Sequence, residues 1–128
     1  MNNASETITI DTVRIKMSTY IWRDFQPITP PQGKPLRVKI TLESDTPVSI
    51  SKILQVIRVR LVTPDESWEV VLDKKTDLRE QPGKLTFTLR NGPFWKPGEK
   101  VDVFVEVRGK DGNIRVLKAE QQTIQATF

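Results

Sequence analysis

The side chains that could do chemistry in this chain are carboxylates, lysines, hydroxyls and one tyrosine, because its 128 residues include neither cysteine nor histidine. Without cysteine there are no disulfides, thiolate nucleophiles or cysteine-ligated metals. Without histidine the commonest general base at neutral pH and the commonest metal ligand are missing. An enzyme using carboxylates such as Asp24 or Glu66 is the remaining catalytic alternative, but no two acids have apolar settings that would separate their pKa values. We therefore expect no enzyme, no cofactor and no metal.

Aromatic and proline residues gather in two segments that are predicted to be loops, and they form the first candidate binding set. The rings are Tyr20, Trp22, Phe25, Phe94 and Trp95, and the prolines are Pro27, Pro30, Pro31 and Pro97. If both loops lie at one end of a β-scaffold, the rings would form an apolar platform for a peptide, a sugar ring or a neighbouring domain. The alternative interpretation is that the rings close the end of the hydrophobic core.

Basic residues form the second candidate set. The net charge is +4, and the whole excess lies in residues 1–60, which hold nine Lys and Arg against five Asp and Glu. If strands at 13–18 and 36–42 pair, one solvent side would carry Arg14, Lys16, Arg37 and Lys39, joined by Arg90 from a strand at 85–90. Such a basic face would attract an acidic partner. The alternative is a solvated face whose like charges discourage edge association.

Alternating apolar residues predict the strands that must position these side chains. Val101, Val103, Val105 and Val107 alternate with polar residues, and the Gly109–Gly112 turn leads to a return strand from Ile114, which together predict a closing hairpin. Further strands are predicted near 7–18, 36–42, 54–62, 68–72 and 85–90. The total is seven or eight strands, with a helix only as the alternative for residues 48–62, and this spacing is typical of a β-sandwich.

Four stretches have less regular patterns. The apolar parity flips at Asp11 and Thr12, which predicts a bulge or kink within the first strand. Residues 48–62 have helical spacing as an alternative, but their many Ile and Val residues favour a strand from Leu54 to Val62. Residues 26–35 and 73–84 are predicted to be connections, since the first holds four prolines and the second is polar. We also expect Arg58 and Arg60 to face Asp102 and Glu106 across a strand pair.

The C-terminal part resembles the immunoglobulin-like and fibronectin-type-III-like sandwich modules. The resemblance rests on the segment from Trp95 to Val107, where a Pro-Gly turn leads into an alternating strand, and on the Lys110–Asn113 turn that follows. It implies an all-β fold with two antiparallel sheets, an immunoglobulin-like β-sandwich. The antibody-type cysteine pair is absent, as is the tyrosine expected near the start of the penultimate strand. The resemblance names a fold group and no specific family.

Domain organisation and partners follow from these patterns. We expect a frayed N-terminus at residues 1–6 and one β-sandwich domain at 7–128. The expected function is protein–protein binding without catalysis, with a small carbohydrate-binding module that uses Trp22, Trp95 and Tyr20 as the alternative. Nucleic acid is not expected, because no aromatic stacking pattern accompanies the charges. The sequence as given starts without a secretory signal, which predicts a cytoplasmic protein unless the chain is a trimmed piece of an exported one.

Overall fold

The computed structural model describes residues 6–25, 33–72 and 78–127, and strands dominate these ranges. The strands are β1 (Thr7–Ile10), β2 (Val13–Asp24), β3 (Arg37–Ser44), β4 (Leu54–Val62), β5 (Ser67–Val71), β6 (Leu78–Gln81), β7 (Lys84–Leu89), β8 (Lys100–Gly109) and β9 (Ile114–Thr127). Within the described residues the helical structure consists of one 3-10 turn at Ile50–Lys52. The protein is all-β, as predicted, with nine described strands where seven or eight were expected.

The strands form one curled sheet in the order β5-β4-β8-β9-β2-β3-β7-β6, and β1 pairs with β2 outside this path. Adjacent strands are antiparallel except β2 and β9, which pair in parallel. Because β9 pairs with β8 along most of its length and with β2 at its end, it joins the two halves of the sheet. The separation into two stacked sheets that the sequence predicts is therefore not confirmed.

The core is enclosed by the inward side chains of the curled sheet. The valines at 101, 103, 105 and 107 are at most 1% exposed, which confirms the predicted buried row on β8. They belong to a single apolar cluster to which every described strand except β5 and β6 contributes buried residues, and Trp68 and Val70 of β5 pack against it. Because side chains alternate along a strand, burial of one set turns the intervening residues outward, and this parity decides which side chains can form a surface site.

The first predicted strand is two strands. Ile10 pairs with Val13, so the chain reverses at Asp11 and Thr12 instead of continuing through a kink. Both turn residues have positive φ, 50° and 74°, as in the two-residue turns that join hairpin strands. The predicted kink was wrong, because the parity flip comes from a reversal of the chain. Little in the sequence indicated this turn, since threonine rarely adopts a positive φ.

The region around residue 54 confirms the strand prediction and partly corrects the ion pairs. Arg58 contacts Glu106 at 3.4 Å and Glu69 at 3.0 Å. Arg60 lies opposite Phe104, however, because the register shifts after Val56. The predicted partnership of Arg60 with an acid on β8 was therefore wrong.

The predicted connection at 73–84 contains a strand. Residues 73–77 and most of the predicted loop at 26–35 lie outside the described residues, as do residues 1–5 of the predicted frayed terminus. Within the described part, β6 pairs with β7 and ends the sheet. The Glu80 carboxylate accepts hydrogen bonds from the Ser51 backbone N–H at 2.8 Å and from the Ser51 hydroxyl at 2.6 Å, which ties β6 to the 3-10 turn.

Truncation of the core on β9 tests the fold. Leu117 is fully buried, so Leu117→Ala should lower the free energy of unfolding by about 2–5 kcal/mol through lost burial and a residual cavity. Val71, on edge strand β5, is 62% exposed, and Val71→Ala should change this free energy by less than about 0.5 kcal/mol. Urea unfolding of both variants measures the difference, and equal costs would contradict the burial described here.

The Glu80 contact predicts a pH dependence of stability. Hydrogen bonds from Ser51 lower the pKa of Glu80, so the carboxylate stabilises the fold at neutral pH and loses this contribution as pH falls through the lowered value. Glu80→Gln should reduce the free energy of unfolding at pH 7 by less than about 1 kcal/mol, since the site is exposed. The difference from wild type should shrink on acidification to about pH 3. Urea titrations at both pH values check this, with Glu99→Gln as the control for loss of one charge.

Candidate functional site

The outer face of β2, β3, β7 and β6 collects residues from both candidate sets. Inward residues such as Ile21, Val38 and Phe87 fill the core, so their strand neighbours point to solvent. The strand registers then place outward residues in rows across the sheet. One row runs from Tyr20 to Lys39 and Thr88. We call this surface the basic–aromatic face.

A shallow groove of about 430 Å³ occupies the part of this face formed by β3, β7 and β6. Its floor includes Thr86 and Thr88, whose side chains are short and half-buried. Four cationic side chains line it: Lys39, Arg79, Lys84 and Arg90. Among the described residues that line it there is no carboxylate, and they present positive charge, hydroxyl groups and the Gln81 amide to solvent.

Pairing with nearby acids decides how much of the positive charge of the groove is compensated. Ion pairs within 4.0 Å among the described residues involve Arg58, Lys110, Arg115 and Lys118. Neither Lys39, Lys84 nor Arg90 takes part in one. Glu43 is the one acidic side chain in the registered rows of this face, and it lies between Lys16 and Lys84 across the ladder. Within the described residues, Lys39 and Arg90 therefore have no acid within ion-pair distance, Lys84 has Glu43 beside it in the ladder, and Arg79 has a contact of its own.

The predicted basic set is distributed along this face. Arg37 lies beside Trp22, while Lys39 and Arg90 line the groove. Arg14 and Lys16 lie toward the other end of β2, where the Arg14 backbone N–H donates to the Asp45 carboxylate at 3.2 Å. The structure thus brings Arg37, Lys39 and Arg90 together and sets Arg14 and Lys16 apart from the groove.

Two predicted aromatic residues adjoin the basic groove. Tyr20 and Trp22 both point outward from β2, with ring centroids 5.2 Å apart and planes tilted by 32°. Tyr20 is 46% exposed and Trp22 is half-buried. Because Tyr20 is paired with Lys39, the rings continue the groove toward β2. The two candidate sets, which were separate in the sequence, meet on one surface.

Phe25 and Phe94 lie elsewhere, on either side of a buried arginine. The Arg23 guanidinium carbon is 4.9 Å from the Phe25 ring centroid and 5.1 Å from that of Phe94. Arg23 also donates to the carbonyl oxygens of Lys34 and Trp95, at 3.0 and 3.2 Å. Burial lowers the pKa of Arg23. The two carbonyl oxygens accept hydrogen bonds from the guanidinium, and the two rings lie against its positive charge. This arrangement fastens chain segments together at the end of β2.

Trp95 is a core residue, which corrects its place in the predicted exposed platform. Only 6% of Trp95 is exposed, and its indole N–H donates to the Glu66 carboxylate at 2.7 Å. That hydrogen bond lets the ring be buried without an unsatisfied donor. Trp68 is half-buried, so Trp95 is more protected from solvent than Trp68.

Sequence reasoning missed Arg79 and Lys84 as members of the groove. Arg79 pairs with Thr86, and Lys84 pairs with Gln81, so both pairs lie on the outer side of β6 and β7. The missed signal was the alternation of Lys84, Thr86, Thr88 and Arg90 with buried residues. It would have added Lys84 to the basic set without any knowledge of β6.

The outer face of β5, β4, β8 and β9 carries charges of both signs. A concave surface of about 380 Å³ there includes Arg58, Arg60, Glu69 and Glu106, with Phe104 among them. Arg58 forms ion pairs with both acids, so the charges compensate one another. Lys118 lies 5.3 Å from the centre of the half-buried Phe104 ring. The charge of Arg58 on this surface is thus balanced by acids of the same surface.

The described ranges contain no group of three or more acidic side chains placed to hold a metal ion. No helix within them has the length and apolar character needed to cross a membrane.

Comparisons with known proteins identify no family. No family model matches the chain, and the search of curated proteins gave no match. Among solved structures, the chain is similar to that of murine CRIg, with 13% identity over 89% of this chain and 98% of that chain. The TM-score is 0.40, a value at which the similarity carries no argument about function.

Proposed function

We propose that this chain is a non-catalytic, immunoglobulin-like module that binds another protein through its basic–aromatic face. The observation that carries the proposal is the meeting of Tyr20 and Trp22 with Lys39 and Arg90, which form no ion pair with another described residue. Tyrosine, tryptophan and arginine are the residues that most often dominate binding energy at protein interfaces. Uncompensated charge on the same surface adds steering and partner choice.

The strand order supports the immunoglobulin-like assignment. One half of the sheet runs β2-β3-β7-β6, which corresponds to strands A, B, E and D of an immunoglobulin domain. The other half runs β5-β4-β8-β9, which corresponds to C′, C, F and G. The parallel pairing of β2 with β9 connects these halves at their A and G strands. On this assignment the curled sheet is a sandwich whose two layers stay joined at the β2–β9 pair.

The chemistry available on the face supports binding over catalysis. Among the described residues its polar groups are mainly amines, guanidinium groups, hydroxyls and the Gln81 amide, and its acids Glu43 and Asp24 lie on different strands and form no cluster to exchange protons with a substrate. The short threonine side chains leave a depression that a partner's side chains can enter. A glycan remains the alternative ligand, but burial of Trp95 removes one of the three rings that the carbohydrate hypothesis requires.

Paired charge-reversal variants test which surface binds. The variant carrying Lys39→Glu and Arg90→Glu should lose at least about tenfold of its affinity for a protein captured by cross-linking, because it reverses the field of the face. The matched control carries Lys52→Glu and Arg108→Glu, which change the net charge equally at exposed positions outside this face. Affinities of the purified partner for all three proteins are compared by surface plasmon resonance.

The outcomes separate the alternatives. Loss of affinity in the face variant, with the control at wild-type affinity, supports the proposed interface. Equal affinity of the two variants contradicts it, because binding would then lie elsewhere or depend on net charge alone. Binding of uncharged glycans that Trp22→Ala abolishes, with no protein partner, would favour the carbohydrate alternative.

A further inference from the structure

The groove places one cation at each of four successive levels along β7. Lys84 and Arg90 mark its two ends, and the outward residues between them are Thr86 and Thr88. Arg79 lies beside Thr86 on one side, and Lys39 lies beside Thr88 on the other. The order along the groove is therefore Lys84, Arg79, Lys39 and Arg90.

The spacing of these levels is that of a β-strand. Successive outward residues are about 6.7 Å apart, so the row from Lys84 to Arg90 spans about 20 Å. An extended polypeptide repeats its same-side residues at this interval. Four acidic residues at alternate positions of such a segment would each meet one cation of the groove.

We propose that the groove binds an extended acidic segment of a partner protein, with carboxylates at every second residue. This inference rests on the proposed function and specifies the partner's chemistry at the same face. Charge complementarity supplies the attraction, because four cations and none of the described carboxylates line the groove. The low floor formed by Thr86 and Thr88 gives the segment room to lie between the flanking cations, and their hydroxyls can donate to its carbonyl oxygens.

The position of β6 favours a polypeptide over other polyanions. β6 is the last strand of the sheet, and within the described residues no strand pairs with its outer edge. All four of its residues are exposed. A segment in extended conformation lies parallel to these strands and matches their repeat, whereas single-stranded nucleic acid would call for aromatic stacking platforms along the groove floor.

Two synthetic peptides of identical composition test the match of spacing. In the first, four glutamates alternate with serines; in the second, the four glutamates are consecutive and the serines follow. Only the first puts all four carboxylates on one side at the groove's repeat. It should bind the full chain at least about threefold more tightly, as measured by isothermal titration calorimetry at low salt, and affinity should fall as salt rises.

Charge reversal then assigns the binding to the groove. Lys84→Glu with Arg90→Glu should weaken the alternating peptide by at least about tenfold, whereas Lys52→Glu with Arg108→Glu should leave it unchanged. If the reversed variant fails to fold by circular dichroism, Lys84→Gln with Arg90→Gln replaces it, and a smaller loss of at least about threefold is expected.

Failure of this inference differs from failure of the proposed function. Equal binding of the two peptides, undiminished binding by the groove variants, or stronger binding of a sulfated oligosaccharide or single-stranded DNA of equal charge would overturn the acidic-segment proposal. The protein-binding function would still stand if the captured partner loses affinity for the variant with Lys39→Glu and Arg90→Glu. It would fall if that variant binds the partner like wild type.

Discussion

The parallel pairing of β9 with β2 is the constraint on which the rest of the structure depends. β9 first lies antiparallel to β8, and then Ile124 pairs with Ile21 of β2. A bulge makes this change of partner possible. The register jumps between Val101 and Val103, and Gln121 adopts a φ of 54° while its N–H donates to the Asp102 carboxylate at 2.9 Å. A bulge of this kind turns the strand and increases its twist.

The same pairing fixes the basic–aromatic face. Trp22 pairs with Gln125 of β9 on one side and with Arg37 of β3 on the other, so β2 is held in register from both directions. A slip of one residue in β2 would turn Tyr20 and Trp22 into the core and expose Ile21. The groove depends in turn on the registers of β3 and β6 against β7. Its row of cations is a property of strand pairing and not of any single loop.

Strand positions were predictable from the sequence because burial of one sheet face produces a two-residue period. The valine row on β8 and the outward side of Arg37, Lys39 and Arg90 all follow from that period. β6 escaped prediction because all four of its residues are exposed, so no alternation marks it. The sequence left open whether Trp95 is exposed or closes the core, because its hydrogen-bond partner Glu66 is 29 residues away in the chain.

The joining of the two candidate sets could not be predicted either, and the reason is geometric. Whether Tyr20 meets Lys39 depends on the register between β2 and β3, and alternation fixes only the side on which each lies. The same holds for Arg79, whose place beside Thr86 is set by the short β6–β7 turn. Gly83 in this turn has a φ of 75°, a conformation in which glycine is favoured.

The contrast between the two outer faces argues for recognition at the basic groove. Solubility alone is served equally well by charges of mixed sign, and the face around Arg58 has that form, with Glu69 and Glu106 within 3.4 Å of the guanidinium. Cations that lie close together with few acids beside them repel one another, and this repulsion opposes folding. A partner that brings carboxylates to the groove would weaken this repulsion. The complex would then be stabilised relative to the free protein, which raises the affinity.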